Sequence, residues 1–166
     1  MKDTRVAVLA AIFCGGFIAG TLDIGAASLI NWLSPVIILH AIASGLLGKA
    51  AFHNGARAAL LGLGLQWTMA LVIAAVYALA ALRLPVLTQR WMAGGVVYGC
   101  VIFLVMNYVV VPLSAAPFSP HFHILKILEN LAAMIVFGLI VAFCAQHFHL
   151  SAAASEQTRV TKDNET

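Results

Sequence analysis

Four long apolar stretches decide what this chain can fold into, because each carries few charged residues and is long enough to cross a bilayer. They cover residues 6–33, 57–82, 91–113 and 124–148. Of the 166 residues, 63% are apolar and 9% are charged, whereas a soluble domain has roughly 45–50% and about 25%. The pattern predicts an all-α fold, a polytopic transmembrane helical bundle formed by residues 1–150 as one domain.

A fifth apolar segment, residues 36–52, carries His40, Ser44 and Lys49 and is followed by the turn signal Asn54-Gly55. It is either a fifth crossing or a short interfacial or re-entrant helix. Basic residues concentrate on the cytoplasmic side of membrane proteins. Four spans place six of the nine basic residues on the side of the termini, and five spans place only five there. We therefore predict four spans with both termini cytoplasmic; the six residues are Lys2, Arg5, Arg83, Arg90, Arg159 and Lys162.

The two ends of the chain differ in character. Lys2 and Arg5 precede an apolar run as in a signal peptide, but the run continues well past the usual length, and Phe13 before Cys14 argues against lipoprotein processing. We expect an uncleaved first helix. Residues 151–166 are polar, small and mixed in charge, which predicts a disordered cytoplasmic tail.

The pattern GGxxxG occurs twice, at residues 15–20 in the first span and 94–99 in the third. Small residues let membrane helices approach closely, so we expect spans one and three to pack through these faces. A specific dimerisation motif is the alternative. The repetition, with Ser-Pro pairs later in each half, also suggests two tandem helical hairpins, although chance similarity explains it too. The packing residues are Gly16, Gly20, Gly95 and Gly99.

Each of the four spans contains one strongly polar side chain at a similar depth. Each lies 16 to 18 residues from a charged or aromatic marker at the inner end of its span, which is about 24 to 27 Å at 1.5 Å per residue. That depth is the outer third of a hydrocarbon core of about 30 Å. The four residues are Asp23, Gln66, Asn107 and Glu129.

A carboxylate in a membrane span is costly and normally faces the bundle interior or an aqueous cavity. Lys126 can pair with Glu129 at a spacing of three, and Asn130 lies beside it. Asn31 and Ser28 follow Asp23 at the same end. These side chains predict a polar pocket on the periplasmic side with two acidic members. The alternative is that the polar groups only hydrogen-bond the helices together.

Other chemistry finds little support in the sequence. His121 and His123 alternate in the outer loop and are weak metal-ligand candidates. Phosphate-binding, metalloprotease and nucleophile-elbow motifs are absent from the sequence, so we expect no cofactor and name no catalytic residue. Cys14, Cys100 and Cys144 lie in apolar stretches and are interpreted as core residues. No basic run indicates nucleic acid.

Several strings resemble small bacterial inner-membrane proteins of the YagU-like family, whose function is uncharacterised. They are residues 19–23 (AGTLD), 42–48 (IASGLLG), Tyr98-Gly99, and Met106-Asn107 leading to residues 111–114 (VPLS). The resemblance covers most of residues 15–145 and implies the inner membrane, but it brings no biochemical role. Members of that family carry a histidine in the second span where this chain has Gln66, so a shared histidine chemistry is in doubt.

Two functions follow as hypotheses. The first is a protein that binds or passes a small polar solute or ion through the polar pocket. The second is a structural or accessory subunit of a membrane complex, suggested by the glycine faces. The expected partners are the lipid bilayer and a membrane protein or a second copy of the chain. A metal-dependent enzyme using His121 and His123 is a third hypothesis.

Overall fold

A computed structural model describes residues 2–84, 86–115 and 124–163, with side chains described for 5–84, 86–115 and 124–148. Within those ranges every regular element is a helix, which confirms the all-α class. The helices are α1 (Lys2–Asn31), α2 (Pro35–Leu47), α3 (Gly55–Arg83), α4 (Val86–Gln89), α5 (Trp91–Val105), α6 (Val111–Leu113) and α7 (Ile124–Asp163). A 3₁₀ helix, Gly48–Phe52, follows α2, and a π-helical turn, Met106–Val110, joins α5 to α6.

Five segments within the described ranges are long and apolar enough to cross a membrane. Four of them, Arg5–Asn31, Gly55–Arg83, Trp91–Leu113 and Ile124–Phe148, correspond to the predicted spans. The fifth, Pro35–Phe52, is the predicted interfacial segment. At 1.5 Å per α-helical residue and about 2.0 Å per 3₁₀ residue it measures about 30 Å, the thickness of the hydrocarbon core. The choice between four and five crossings stays a prediction.

Glycine and proline explain where several helices begin or end. Gly48 and Gly55 have φ of 58° and 49°, a left-handed conformation that glycine adopts without steric cost. Pro35 starts α2, where its missing N–H is not needed. Pro112 has no N–H, and its ring opposes the carbonyl four residues earlier, so the wider π-helical turn just before it accommodates the break.

The glycine faces pack within one molecule. A Cβ at Gly16 would lie 2.9 Å from Leu71 Cδ2, so α1 meets α3 there. A Cβ at Gly95 would lie 2.9 Å from the Cα of Leu139, and one at Gly99 would lie 2.6 Å from the Cα of Ile135, so α5 meets α7. The Gly16/Gly20 face is therefore covered by α3 and the Gly95/Gly99 face by α7. The prediction that the two GGxxxG helices pack on each other through these faces is wrong. The two halves share this relation, as tandem hairpins would.

The two hairpins join along α1 and α7, which are in contact over much of their length. On the other side of the bundle, α3 and α5 are bridged by tyrosines. The hydroxyl of Tyr98 donates to the carbonyl of Ile73 at 2.7 Å, and the rings of Tyr77 and Tyr98 lie 5.0 Å apart. The buried core lies among the four long helices and includes Tyr77, Phe137 and Val141.

The α2 helix packs on the first half of α3. A Cβ at Gly62 would collide with the carbonyl of Leu39, so only glycine permits this approach. The end of α6 also touches α2, because the N–H of Ala115 donates to the carbonyl of Gly45 at 2.9 Å. The segment Pro35–Phe52 is therefore held by α3 and by the residues that follow α6.

The α7 helix continues to Asp163, although the composition predicts a disordered tail from Ser151. Extending an existing helix avoids the cost of nucleation. Residues 152–157 (AAASEQ) are mostly good helix formers. The backbone of residues 151–163 is thus helical and not disordered as predicted, because these residues extend an existing helix.

Candidate functional site

Asp23 and Gln66 meet where α1 crosses α3. The Gln66 Nε2 donates to Asp23 Oδ2 at 2.8 Å and also lies 3.5 Å from the carbonyl of Gly20. Gly20 makes this approach possible, since a Cβ there would lie 2.8 Å from the Cβ of Ala70. Two residues of the predicted polar layer are therefore joined directly, and the half-buried carboxylate keeps its Oδ1 without a hydrogen bond among the described residues.

A cavity of about 260 Å³ lies beside Asp23, between α1 and α7. We call it the polar cavity. It brings together three predicted site residues, Asp23, Lys126 and Asn130. Asn31, expected at the same end, also lines it. The remaining walls are the short or apolar side chains of Ala27, Ile30 and Ala133.

Lys126 does not pair with Glu129 in the part of the chain that the structure describes. Its Nζ donates instead to Asn31 Oδ1 at 3.4 Å, across the mouth of the polar cavity. Asn31 is itself oriented by its Nδ2, which donates to the carbonyl of Ala27 at 2.9 Å. The spacing of three residues would allow Lys126 to pair with Glu129 on α7, but the lysine is bonded to Asn31 on α1 instead.

Glu129 is not among the residues that line the polar cavity. It precedes Asn130 by one residue, so its side chain points about 100° away around the helix axis. It is half-buried and has no hydrogen bond or ion pair among the described residues. The expectation of two acids in one pocket therefore reduces to one, Asp23.

Asn107 lies near the level of Asp23 along the bundle, but its side chain points in a different direction. Its neighbour Met106 lines a small void of about 30 Å³ together with Asp23 and Gln66. The Asn107 amide instead donates to the carbonyl of Phe103 at 2.8 Å, on its own helix. It thus satisfies a carbonyl beside the π-helical turn and takes no part in the polar cavity.

Metal-ligand chemistry finds no grouping among the described residues, where no three His, Cys, Asp or Glu side chains come together. His121 and His123 lie outside the described residues. His40 is engaged elsewhere, with its Nε2 donating to the carbonyl of Gly55 at 2.8 Å.

One link near the site escaped the sequence reasoning. Trp67 Nε1 donates to Thr21 Oγ1 at 3.4 Å, beside the Asp23–Gln66 contact. The available signal was the spacing: each residue lies within two positions of a polar-layer residue on the same helix. The pair adds a second polar contact that holds α1 against α3 at this depth.

Comparison of the chain with protein families, curated proteins and solved structures finds no match. The resemblance to the YagU-like family accordingly stays a prediction. The class that the fold defines is an all-α bundle whose helices are long and apolar enough to cross a membrane.

The polar cavity has Asp23 at one end and Lys126 at the other, and these two groups determine its chemistry. At one end a carboxylate accepts hydrogen bonds or binds a cation, and at the other an ammonium group donates. Asp23 and Asn31 are eight residues apart on α1, which separates the two ends by about 12 Å. Two amide side chains, Asn31 and Asn130, stand where either role is available.

Proposed function

We propose that this is a multi-pass protein of the bacterial inner membrane, with both termini cytoplasmic, that binds or passes a small polar solute or ion at the polar cavity. The cavity faces the periplasmic side in this topology. Its volume of about 260 Å³ lies just below the range of about 300–1,000 Å³ typical of drug-sized ligand sites, which favours a small solute.

The observation that supports this proposal most directly is the incomplete hydrogen bonding of the Asp23 carboxylate. The Oδ1 of Asp23 has no hydrogen-bond partner among the described residues and is not fully buried, so it is accessible from the cavities that Asp23 lines. Asp23 receives one hydrogen bond on Oδ2, and the cationic Lys126 that shares its cavity is bonded to Asn31 instead. The acid is thus left available to a ligand.

An accessory-subunit role has less support from the packing of the helices. The hypothesis depended on grooves at the two GGxxxG faces being open to a partner. The contacts of Gly16 with Leu71 and of Gly99 with Ile135 fill both grooves from within the chain.

The test uses the purified protein in nanodiscs and three soluble probes: sodium ion, ethanolamine and glycerol 3-phosphate. We expect calorimetry to detect binding of at least one probe. Asp23→Asn keeps the size of the side chain and removes its charge. Hydrogen bonds to charged groups contribute about 1.5–3 kcal/mol, against about 0.5–1.5 kcal/mol for neutral ones, so we expect binding to weaken about tenfold.

Glu129→Gln is the matched control, because it removes a second half-buried acid that does not line the polar cavity. Its affinity for the probes should equal that of the wild type. The proposal fails if no probe binds the wild-type protein, or if Asp23→Asn binds every probe as well as the wild type does.

A further inference from the structure

A second cavity adjoins the polar cavity along the same seam between α1 and α7. Its volume is about 110 Å³, and it shares Asp23 and Ala133 with the first. Apart from Asp23 its walls are apolar, and they include Leu22, Ala26 and Val136. We call it the apolar slot.

The two cavities are ordered along the helices. On α1 the polar cavity is lined from Asp23 to Asn31 and the apolar slot from Ala19 to Ala26. At 1.5 Å per residue the polar end extends about 12 Å from Asp23 toward the end of the helix, and the slot about 6 Å the opposite way. The polar end therefore points to the nearer membrane surface and the slot points toward the bilayer centre, which is the polarity of a lipid in the adjacent leaflet.

The apolar slot is open at the side. Leu22 on one wall is 54% exposed and Val136 on the other is 52% exposed. At this depth in a membrane, an exposed side chain contacts acyl chains. A lipid chain can thus enter the slot laterally, without passing through water.

The polar groups limit which headgroup fits. Next to the slot is Asp23, whose Oδ1 has no hydrogen bond among the described residues and can accept one from a hydroxyl group of a ligand. Farther out is Lys126, whose ammonium suits a phosphate and whose bond to Asn31 is long, at 3.4 Å. From the slot outward, a ligand must therefore carry an apolar chain, then a hydroxyl group, then a phosphate.

We propose that the occupant of this seam is a single-chain phospholipid: a glycerol that carries one acyl chain, a free hydroxyl and a phosphate. The inference rests on the proposed function, since it assigns the ligand class of the same cavity. In a two-chain phospholipid the hydroxyl is esterified, so an ester carbonyl would face the Asp23 carboxylate with no donor between them. The narrow slot likewise suits part of one chain.

The experiment is native mass spectrometry of the purified protein in detergent with 1-oleoyl-lysophosphatidic acid, compared with glycerol 3-phosphate as the same headgroup without the chain. We expect one lipid per protein, bound at least about tenfold more tightly than glycerol 3-phosphate. Ala26→Phe fills the slot from a position that does not line the polar cavity, and Lys126→Gln removes the cation; each should weaken lipid binding about tenfold. Ala93→Phe, which adds the same ring at an exposed position of α5, should leave lipid binding unchanged.

The outcomes separate the two proposals. If the lipid and glycerol 3-phosphate bind equally well and Ala26→Phe has no effect, the lipid inference is overturned and the proposed function stands. The same conclusion follows if the lipid does not bind while a soluble probe does. If no soluble probe binds, the proposed function is overturned, and if the lipid does not bind either, the lipid inference is overturned with it. Because Lys126 is exposed, its variant remains informative should Ala26→Phe fail to fold.

Discussion

Replacing Gly99 with alanine should destabilise the bundle through one identifiable clash. The new Cβ would lie 2.6 Å from the Cα of Ile135 and 2.6 Å from the carbonyl oxygen of Met134, where ordinary contact begins at 3.4 Å. Both neighbours are backbone atoms, so no rotamer change relieves the overlap. The helices α5 and α7 must separate by about 0.8 Å, and overpacking of this kind costs about 1–3 kcal/mol.

Alanine also forms helix better than glycine, by about 1 kcal/mol, and this gain opposes the clash. Gly25→Ala controls for it, because a Cβ at Gly25 meets nothing within 4 Å. The difference in unfolding free energy between the two variants therefore isolates the clash. We expect Gly99→Ala to be less stable than Gly25→Ala by about 1–3 kcal/mol, measured by titration with sodium dodecyl sulfate and circular dichroism. Equal stability of the two variants would refute the close α5–α7 contact.

Three further predictions concern the site and the bundle. Gln66→Leu removes the donor to Asp23, and leaving that carboxylate unpaired should cost about 1–3 kcal/mol in the same titration; an unchanged midpoint would contradict the contact. Tyr98→Phe should cost about 0.5–1.5 kcal/mol through loss of the bond to α3, whereas Tyr108→Phe, at a side chain that is 75% exposed, should cost nothing. In a cysteine-free background, Ala27→Cys should react with a membrane-impermeant maleimide added to the periplasmic side, and protection from the reagent would exclude an open cavity.

The shared level of Asp23 and Gln66 along the bundle was predictable from the sequence, because the level follows from counting residues along apolar helices. Asp23 and Gln66 were placed in one layer and do meet. The direction of each side chain around its helix was not predictable in this way. This direction depends on which neighbouring helices cover each face. Because these helices are apolar on all sides, hydropathy does not indicate which face is covered.

Asn107 and Glu129 show this difference most clearly. Each is next in sequence to a residue that shares a cavity with Asp23, but neither lines the polar cavity. Asn107 is turned by the π-helical segment before Pro112, whose wider turn changes which residues share a face. Glu129 lies one residue from Asn130, and one residue is enough to redirect a helical side chain by about 100°.

The helical class and the positions of the four long apolar helices followed from length and composition alone. The use of the glycine faces was only partly predictable. Small residues at spacings of four indicate close packing, but the identity of the covering helix depends on chain topology. Gly138, the small residue of α7 that lies against Gly95, forms a small-residue pair with Ala142 four positions later, and this pair was not recognised as a packing face.

The order in which the helices are synthesised determines when the α1–α7 seam can form. Each GGxxxG face is covered by the next long span, so each hairpin can close soon after its second helix leaves the ribosome. The seam joins the first long helix to the last. Because the polar cavity lies in that seam, it comes into existence only when synthesis of the bundle is complete, and a chain stalled or truncated before α7 carries no site.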